Sequence, residues 1–127
     1  MKSKVASGLL GITMLLWSST AAFGAEATVL RVVVVETGDA DAYVKQIEQG
    51  KALLKRLDSS GVIRVWRARF AGPNAGNVVV SIEYPSIAAF ARDDSKIAAD
   101  SEYQAWLKGL DKLRKVVSDS LYGELKP

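Results

Sequence analysis

The sequence predicts an α+β domain whose elements run β-α-β-β-α-β, and three observations predict it. Val29 to Glu36 (VLRVVVVE) is β-branched and almost continuously apolar, the mark of a strand buried on both faces. Two apolar stripes follow at helical spacing: Tyr43, Ile47, Gly50, Leu54 and Leu57, then Tyr103, Trp106, Leu107, Leu110 and Leu113. Between them, Val62 to Ala71 (VIRVWRARFA) and Asn77 to Tyr84 (NVVVSIEY) flank Gly72-Pro73-Asn74-Ala75-Gly76, which is hairpin turn chemistry.

Each boundary has a local cause. Gly38 breaks the first strand, and Asp39 or Asp41 offers an N-cap for the helix after it. Lys45, Glu48, Lys51 and Lys55 lie off the apolar stripe. Gly50 costs about 1 kcal/mol against alanine in a helix, so its place on the stripe predicts close approach to the sheet beneath. Gly61 is the candidate C-cap. Pro85 stops the third strand, and Ser86 caps a short helix carrying Ile87, Phe90 and Ala91. Ser101 with Gln104 forms a capping-box pattern that opens another, so the second helix is split in two. Val116 to Leu125 (VVSDSLYGEL) reads as the last strand. The order is ferredoxin-like, an antiparallel sheet with helices on one face.

Ahead of this domain stands an address label. Lys2 and Lys4 supply a positive n-region, Val5 to Trp17 a short apolar core, and Ala21 to Ala27 small residues for cleavage. Thirteen residues of helix reach about 20 Å, short of the ~30 Å hydrocarbon core. Residues 1–25 therefore read as a signal peptide, cut after Gly24 or after Ala27. Residues 26–127 read as a single exported domain, periplasmic or extracellular, with no membrane anchor after cleavage.

Composition closes several chemistries. Without Lys2 and Lys4 the domain has fifteen basic against fourteen acidic residues, which gives no global attraction to polyanions. The chain has no cysteine and no histidine. Thiolate nucleophiles, Ser-His-Asp relays, histidine-ligated haem and cysteine-ligated clusters are thereby excluded. Asp39-x-Asp41 begins like a calcium loop, but Tyr43, Lys45 and Gly50 stand where ligands belong. Asp93-Asp94 reads as a solvated helix end, and Gly72 and Gly76 flank a turn and not a phosphate loop. No cofactor, metal or nucleotide is expected.

Hairpin register follows from side-chain parity. A five-residue loop puts Trp66, Ala68 and Phe70 on one face with Val78, Val80, Ile82 and Tyr84. The other face then carries Arg67, Arg69, Asn77, Val79, Ser81 and Glu83. A four-residue loop mixes apolar with polar, so the first register is preferred, with its apolar face under the helices. Arg67 then lies opposite Ser81 and diagonal to Glu83, within cross-strand reach. The first strand is apolar at both parities: Leu30, Val32 and Val34 on one side, Val33 and Val35 on the other. Helices cover one side only. The leftover valines with Val79, flanked by Arg31, Arg67, Arg69 and Glu83, form an apolar strip that a second copy would cover, predicting a homodimer.

Ser81-Ile82-Glu83-Tyr84-Pro85-Ser86, then Ala88-Ala89-Phe90, then Asp100-Ser101-Glu102-Tyr103-Gln104, resembles the dimeric α/β-barrel superfamily. That superfamily includes antibiotic-biosynthesis monooxygenase-like and NIPSNAP-like domains. The resemblance implies a homodimer whose two sheets close into a barrel, with a ligand cavity between sheet and helices in each subunit. Some members are cofactor-free oxygenases acting on aromatic polyketides, through tryptophan, tyrosine, asparagine and arginine residues. Others degrade haem through a proximal histidine, which this chain lacks. Fold alone does not transfer function.

Trp66, Tyr84, Tyr103 and Trp106 could line such a cavity for a flat apolar ligand; the alternative is that they are core. Arg67, Arg69 and Glu83 are candidate polar contacts or dimer-face ion pairs. Arg64, Arg67 and Arg69 around Trp66 lack the glycine-aromatic consensus of an RNA-binding strand, so no nucleic-acid partner is expected. Three functions stay open. The first is a small-ligand-binding exported homodimer, the second a cofactor-independent monooxygenase-like enzyme on an aromatic substrate, and the third a structural homodimer with a filled core. The first two predict an open cavity beside Trp66 and Tyr84; the third predicts none.

Overall fold

The computed structural model describes residues 27–126. The β-branched run forms strand β1 (Val29–Glu36), followed by helix α1 (Ala40–Arg56) and strands β2 (Val62–Arg67) and β3 (Val78–Tyr84). Helices α2 (Ile87–Ala99) and α3 (Ser101–Asp111) and strand β4 (Lys115–Gly123) complete the chain. The strands pair antiparallel in the order β2-β3-β1-β4, a ferredoxin-like α+β sheet with the second helix divided as expected. The expected signal peptide lies outside the described residues. Among the described residues no helix is long and apolar enough to cross a membrane.

Asp39 caps α1, its carboxylate accepting from the Ala42 N–H at 3.0 Å, and Tyr43, Ile47, Gly50 and Leu54 are buried. That stripe packs on Val33, Val35, Ile63, Val78 and Val80, with Tyr103 and Leu110 from α3, to form the core. Two glycines serve other ends than expected. The close approach at Gly50 is to α3: a methyl there would strike the Trp106 indole, whose Nε1–H donates to the Gln46 carbonyl at 2.9 Å. Helix α1 ends at Leu57, and Asp58 takes the left-handed turn at φ 56°, so Gly61 is not its cap. A Cβ on Gly61 would stand 2.9 Å from Ile82 Cγ2 and 3.0 Å from Tyr84 Cε1.

Ser86 caps α2, as its position predicts, accepting from the Ala89 N–H at 3.0 Å. Asp100, and not Ser101, caps α3. Its carboxylate accepts from the Tyr103 N–H at 2.8 Å and from Arg56 at 2.7 Å, and these donors, the Tyr103 amide first, hold it below the usual carboxylate range. Gln104 turns back to donate to the Ile97 carbonyl at 3.0 Å, leaving the capping box unmade.

Helix α2 continues to Ala99, so Asp93 lies mid-helix and is wholly buried, contrary to its reading as a solvated end. It anchors the α1–β2 loop: one oxygen accepts the Ser60 N–H and hydroxyl, each at 2.8 Å, and the Ser59 hydroxyl at 3.0 Å. Burial pushes this carboxyl's pKa up, but the Ser60 and Ser59 donors outweigh it and hold it below the ordinary value.

The hairpin takes the register that parity argued against. Trp66 lies opposite Val79, Ile63 opposite Ile82 and Val65 opposite Val80. The connection over 68–77 is longer than a five-residue loop and contains a 3-10 turn at Gly72–Asn74, with the Ala68 N–H donating to the Asn77 carbonyl at 2.9 Å. An odd shift of register reverses every side chain. The helix-facing side therefore carries Ile63, Val65, Val80, Ile82 and Tyr84 beside Val29, Arg31, Val33 and Val35. Trp66, Arg64, Val79, Ser81 and Glu83 face the open side with Leu30, Val32 and Val34.

The open face thus keeps an apolar strip with other members than expected. Its β1 members are Leu30, Val32 and Val34, with Val33 and Val35 turned to the helices. Trp66 is 54% exposed, and its Nε1–H donates to the Ser81 hydroxyl at 2.8 Å. Strand β4 is the far edge, bulged where it passes Val34 and Val35 and exposed along almost its whole length.

Candidate functional site

A cavity of about 230 Å³ lies between the helix-facing side of the sheet and helices α2 and α3. Val33, Ile63, Val80 and Ile82 contribute its sheet wall, and Ile97, Leu107 and Leu110 its helical wall. Sequence alternation produces the first wall, because every second residue of β1, β2 and β3 points this way. Helical spacing produces the second.

Three of the four expected aromatic residues meet here. Tyr84, Tyr103 and Trp106 line the cavity. Tyr84 packs edge-on against Phe90 with ring centres 5.2 Å apart, and Tyr103 tilts against Trp106 at 5.0 Å. Trp66 does not join them: the register puts it on the opposite side of the sheet. The expected polar residues also stand elsewhere. Arg67 donates to the Gly76 carbonyl at 3.0 Å, Arg69 is exposed in the connection, and Glu83 pairs on the open face with Arg64 at 3.7 Å. The partner facing Ser81 is Arg64, not Arg67.

The polar lining comes from residues that the sequence reading gave other roles, Arg31, Asp94 and Gln104, or none, Arg114 and Asp119. Arg31 Nε and Nη2 donate to the two oxygens of Asp119 at 2.9 and 2.6 Å, with both side chains partly open to solvent. The Arg31 hydrogen bonds hold Asp119 below the usual carboxylate range, and Asp119 in turn raises Arg31. Arg114 donates through Nε to Asp111 and through Nη1 to the Tyr43 hydroxyl, each at 3.1 Å. One signal pointed to this cluster. An arginine inside a valine strand buried on both faces must find a partner.

Burial raises the phenol pKa of Tyr84 to about 12, with nearby Tyr103 adding to the rise, and burial raises Tyr103 as well. Both are therefore neutral hydrogen-bond donors at physiological pH. Among the described residues no three acidic side chains gather as a metal site would require.

No family model matches the sequence, and no curated protein matches it either. Solved structures do. A NIPSNAP family protein from Agrobacterium tumefaciens superposes with a TM-score of 0.60 at 19% identity, covering 80% of this chain and 85% of that one. The chain shares their fold. A NIPSNAP domain protein from Burkholderia xenovorans gives 0.60 at 14% identity, with 80% and 94% covered. SnoaB from Streptomyces nogalater, a cofactor-independent oxygenase, gives 0.59 at 16% identity, with 80% and 96% covered. The likeness read from Ser81–Ser86 and Asp100–Gln104 thus holds at the level of fold.

Proposed function

We propose that this chain is a small exported homodimeric binding domain that holds one small apolar or aromatic ligand under helices α2 and α3. The carrying observation is the cavity of about 230 Å³ beside Tyr84. A structural homodimer with a filled core predicts no such opening between sheet and helices. An apolar cavity of about 150 Å³ accepts benzene, so this one has room for a flat ligand of one or two rings.

Pairing of two copies through the open sheet face is supported by Trp66, Val62 and Tyr122, each about half exposed, beside Leu30, Val32 and Val79. Export is supported by Lys2, Lys4 and the apolar core from Val5 to Trp17.

The second reading is a cofactor-independent monooxygenase-like enzyme, supported by the fold shared with SnoaB and by polar groups in the cavity. General acid-base catalysis works best with a group titrating near the operating pH. The two phenols titrate far above it, which favours binding over catalysis.

Native mass spectrometry of the purified protein tests the reading. The expected spectrum is a dimer carrying a bound small molecule. A ligand-free dimer that takes up no naphthalene overturns the binding role, and a monomer at high concentration overturns the pairing. N-terminal sequencing of the envelope fraction tests export, the expected start lying just after Gly24 or Ala27.

A further inference from the structure

Tyr84 and Tyr103 are 2% and 7% exposed, and both line the cavity. A buried tyrosine hydroxyl ordinarily finds a hydrogen-bond partner. Tyr43, equally buried, has one in Arg114. Among the described residues neither Tyr84 nor Tyr103 has a hydroxyl partner, and the one sealed side-chain polar atom without a hydrogen bond is Asp93 Oδ1. Both phenol oxygens therefore open onto the cavity volume. They are near enough to interact electrostatically with each other and with Arg31.

The charges around them are already matched. Arg31 and Arg114 stand against Asp94 and Asp119 on the lining, so the cavity has no net charge to offer. Arg31 spends Nε and Nη2 on Asp119, and Arg114 is engaged by Asp111 and Tyr43. A carboxylate entering here would find no uncompensated cation to balance it, since Asp119 neutralises Arg31 and Asp111 neutralises Arg114. An uncharged acceptor oxygen needs none, and two neutral donors wait for it.

We infer that Tyr84 and Tyr103 form a paired-donor subsite selecting an uncharged ligand with a carbonyl-type oxygen on an apolar body of one or two rings. The cavity volume of about 230 Å³, against about 150 Å³ for one that takes benzene, sets that size. The inference rests on the cavity being a ligand site, and the experiment separates the two.

Equilibrium dialysis of the purified protein against acetylnaphthalene, ethylnaphthalene and naphthoate compares three probes of one shape. The ketone should bind at least about tenfold tighter than the other two, the worth of one well-made hydrogen bond. Tyr84→Phe combined with Tyr103→Phe should remove the ketone's advantage over the hydrocarbon. Neither hydroxyl holds an internal bond, so the variant should keep its circular dichroism spectrum; if it does not fold, the probe ranking on the parent protein decides. Equal binding of ketone and hydrocarbon overturns the donor pair and leaves the cavity reading intact. Tighter binding of naphthoate overturns it in favour of an anion. Failure of all three to bind overturns the cavity reading and the donor pair together.

Discussion

Replacing Gly50 with alanine sets two effects of opposite sign against each other. Helix propensity alone favours alanine by about 1 kcal/mol, so on local grounds the change stabilises α1. The new methyl, however, would stand 3.1 Å from Trp106 Cε2 and closer still to Cζ2 and Cη2. The indole has little freedom to yield, being hydrogen-bonded to Gln46 at 2.9 Å and packed against Tyr103. Overpacking of this kind costs about 1–3 kcal/mol, and loss of the indole hydrogen bond costs about 1 kcal/mol more. The steric side wins, leaving a net loss of about 2 kcal/mol. For a domain of this size that lowers the melting temperature by about 8–16 °C. Urea and thermal unfolding measure it directly. In a Trp106→Ala background the clash is gone, so Gly50→Ala should become stabilising by about 1 kcal/mol. A Gly50→Ala protein at least as stable as its parent, or one whose penalty survives removal of the indole, refutes the packing argument.

Asp93→Ala should cost about 3 kcal/mol by urea unfolding, since it strands two serine hydroxyls and the Ser60 amide. Asp93, Asp100 and Asp119 all have depressed folded-state pKa values, so their stabilisation is complete above the unfolded carboxylate value and fades as pH falls through the folded ones. With no histidine in the chain, the urea midpoint should stay flat from about pH 5 to 8 and drop below about pH 4; a step near pH 6.5 would contradict this. Asp119→Asn breaks a half-exposed pair and should cost no more than about 1 kcal/mol. Val79→Lys puts a charge in the centre of the open sheet face, and sedimentation should show a dimer becoming a folded monomer.

The elements were legible because each has a local cause. Asp39 and Ser86 cap where their side chains allow, and the Tyr43–Ile47–Leu54 stripe is buried, with Tyr103 and Leu110 buried and Trp106 partly buried on the other, as their spacing requires. Two local caps failed, Ser101 giving way to its neighbour Asp100 and Gly61 to the turn at Asp58, but the larger failures depend on long-range partners. Parity along a strand is fixed by sequence, but its phase is fixed by the turn, and the 3-10 turn at Gly72–Asn74 reversed it. That one slip moved Trp66 out of the expected pocket and exchanged Arg67 for Arg64. Asp93 looked like a surface charge because its partners, Ser59 and Ser60, lie in a loop over thirty residues away. Arg31 and Asp119 are 88 residues apart, and only the sheet order makes them neighbours. Gly50 signalled a close approach, yet nothing nearby in the chain named Trp106 as the group approaching.

The reversed register leaves the two indoles of the described domain on opposite sides of one sheet, Trp66 on the open face and Trp106 at the cavity. Their fluorescence can therefore report separate events. Subunit pairing should blue-shift the Trp66 emission, whereas a guest under α2 and α3 should quench Trp106. Single Trp→Phe replacements would resolve the two signals, so assembly and occupancy could be followed in one sample without an external label.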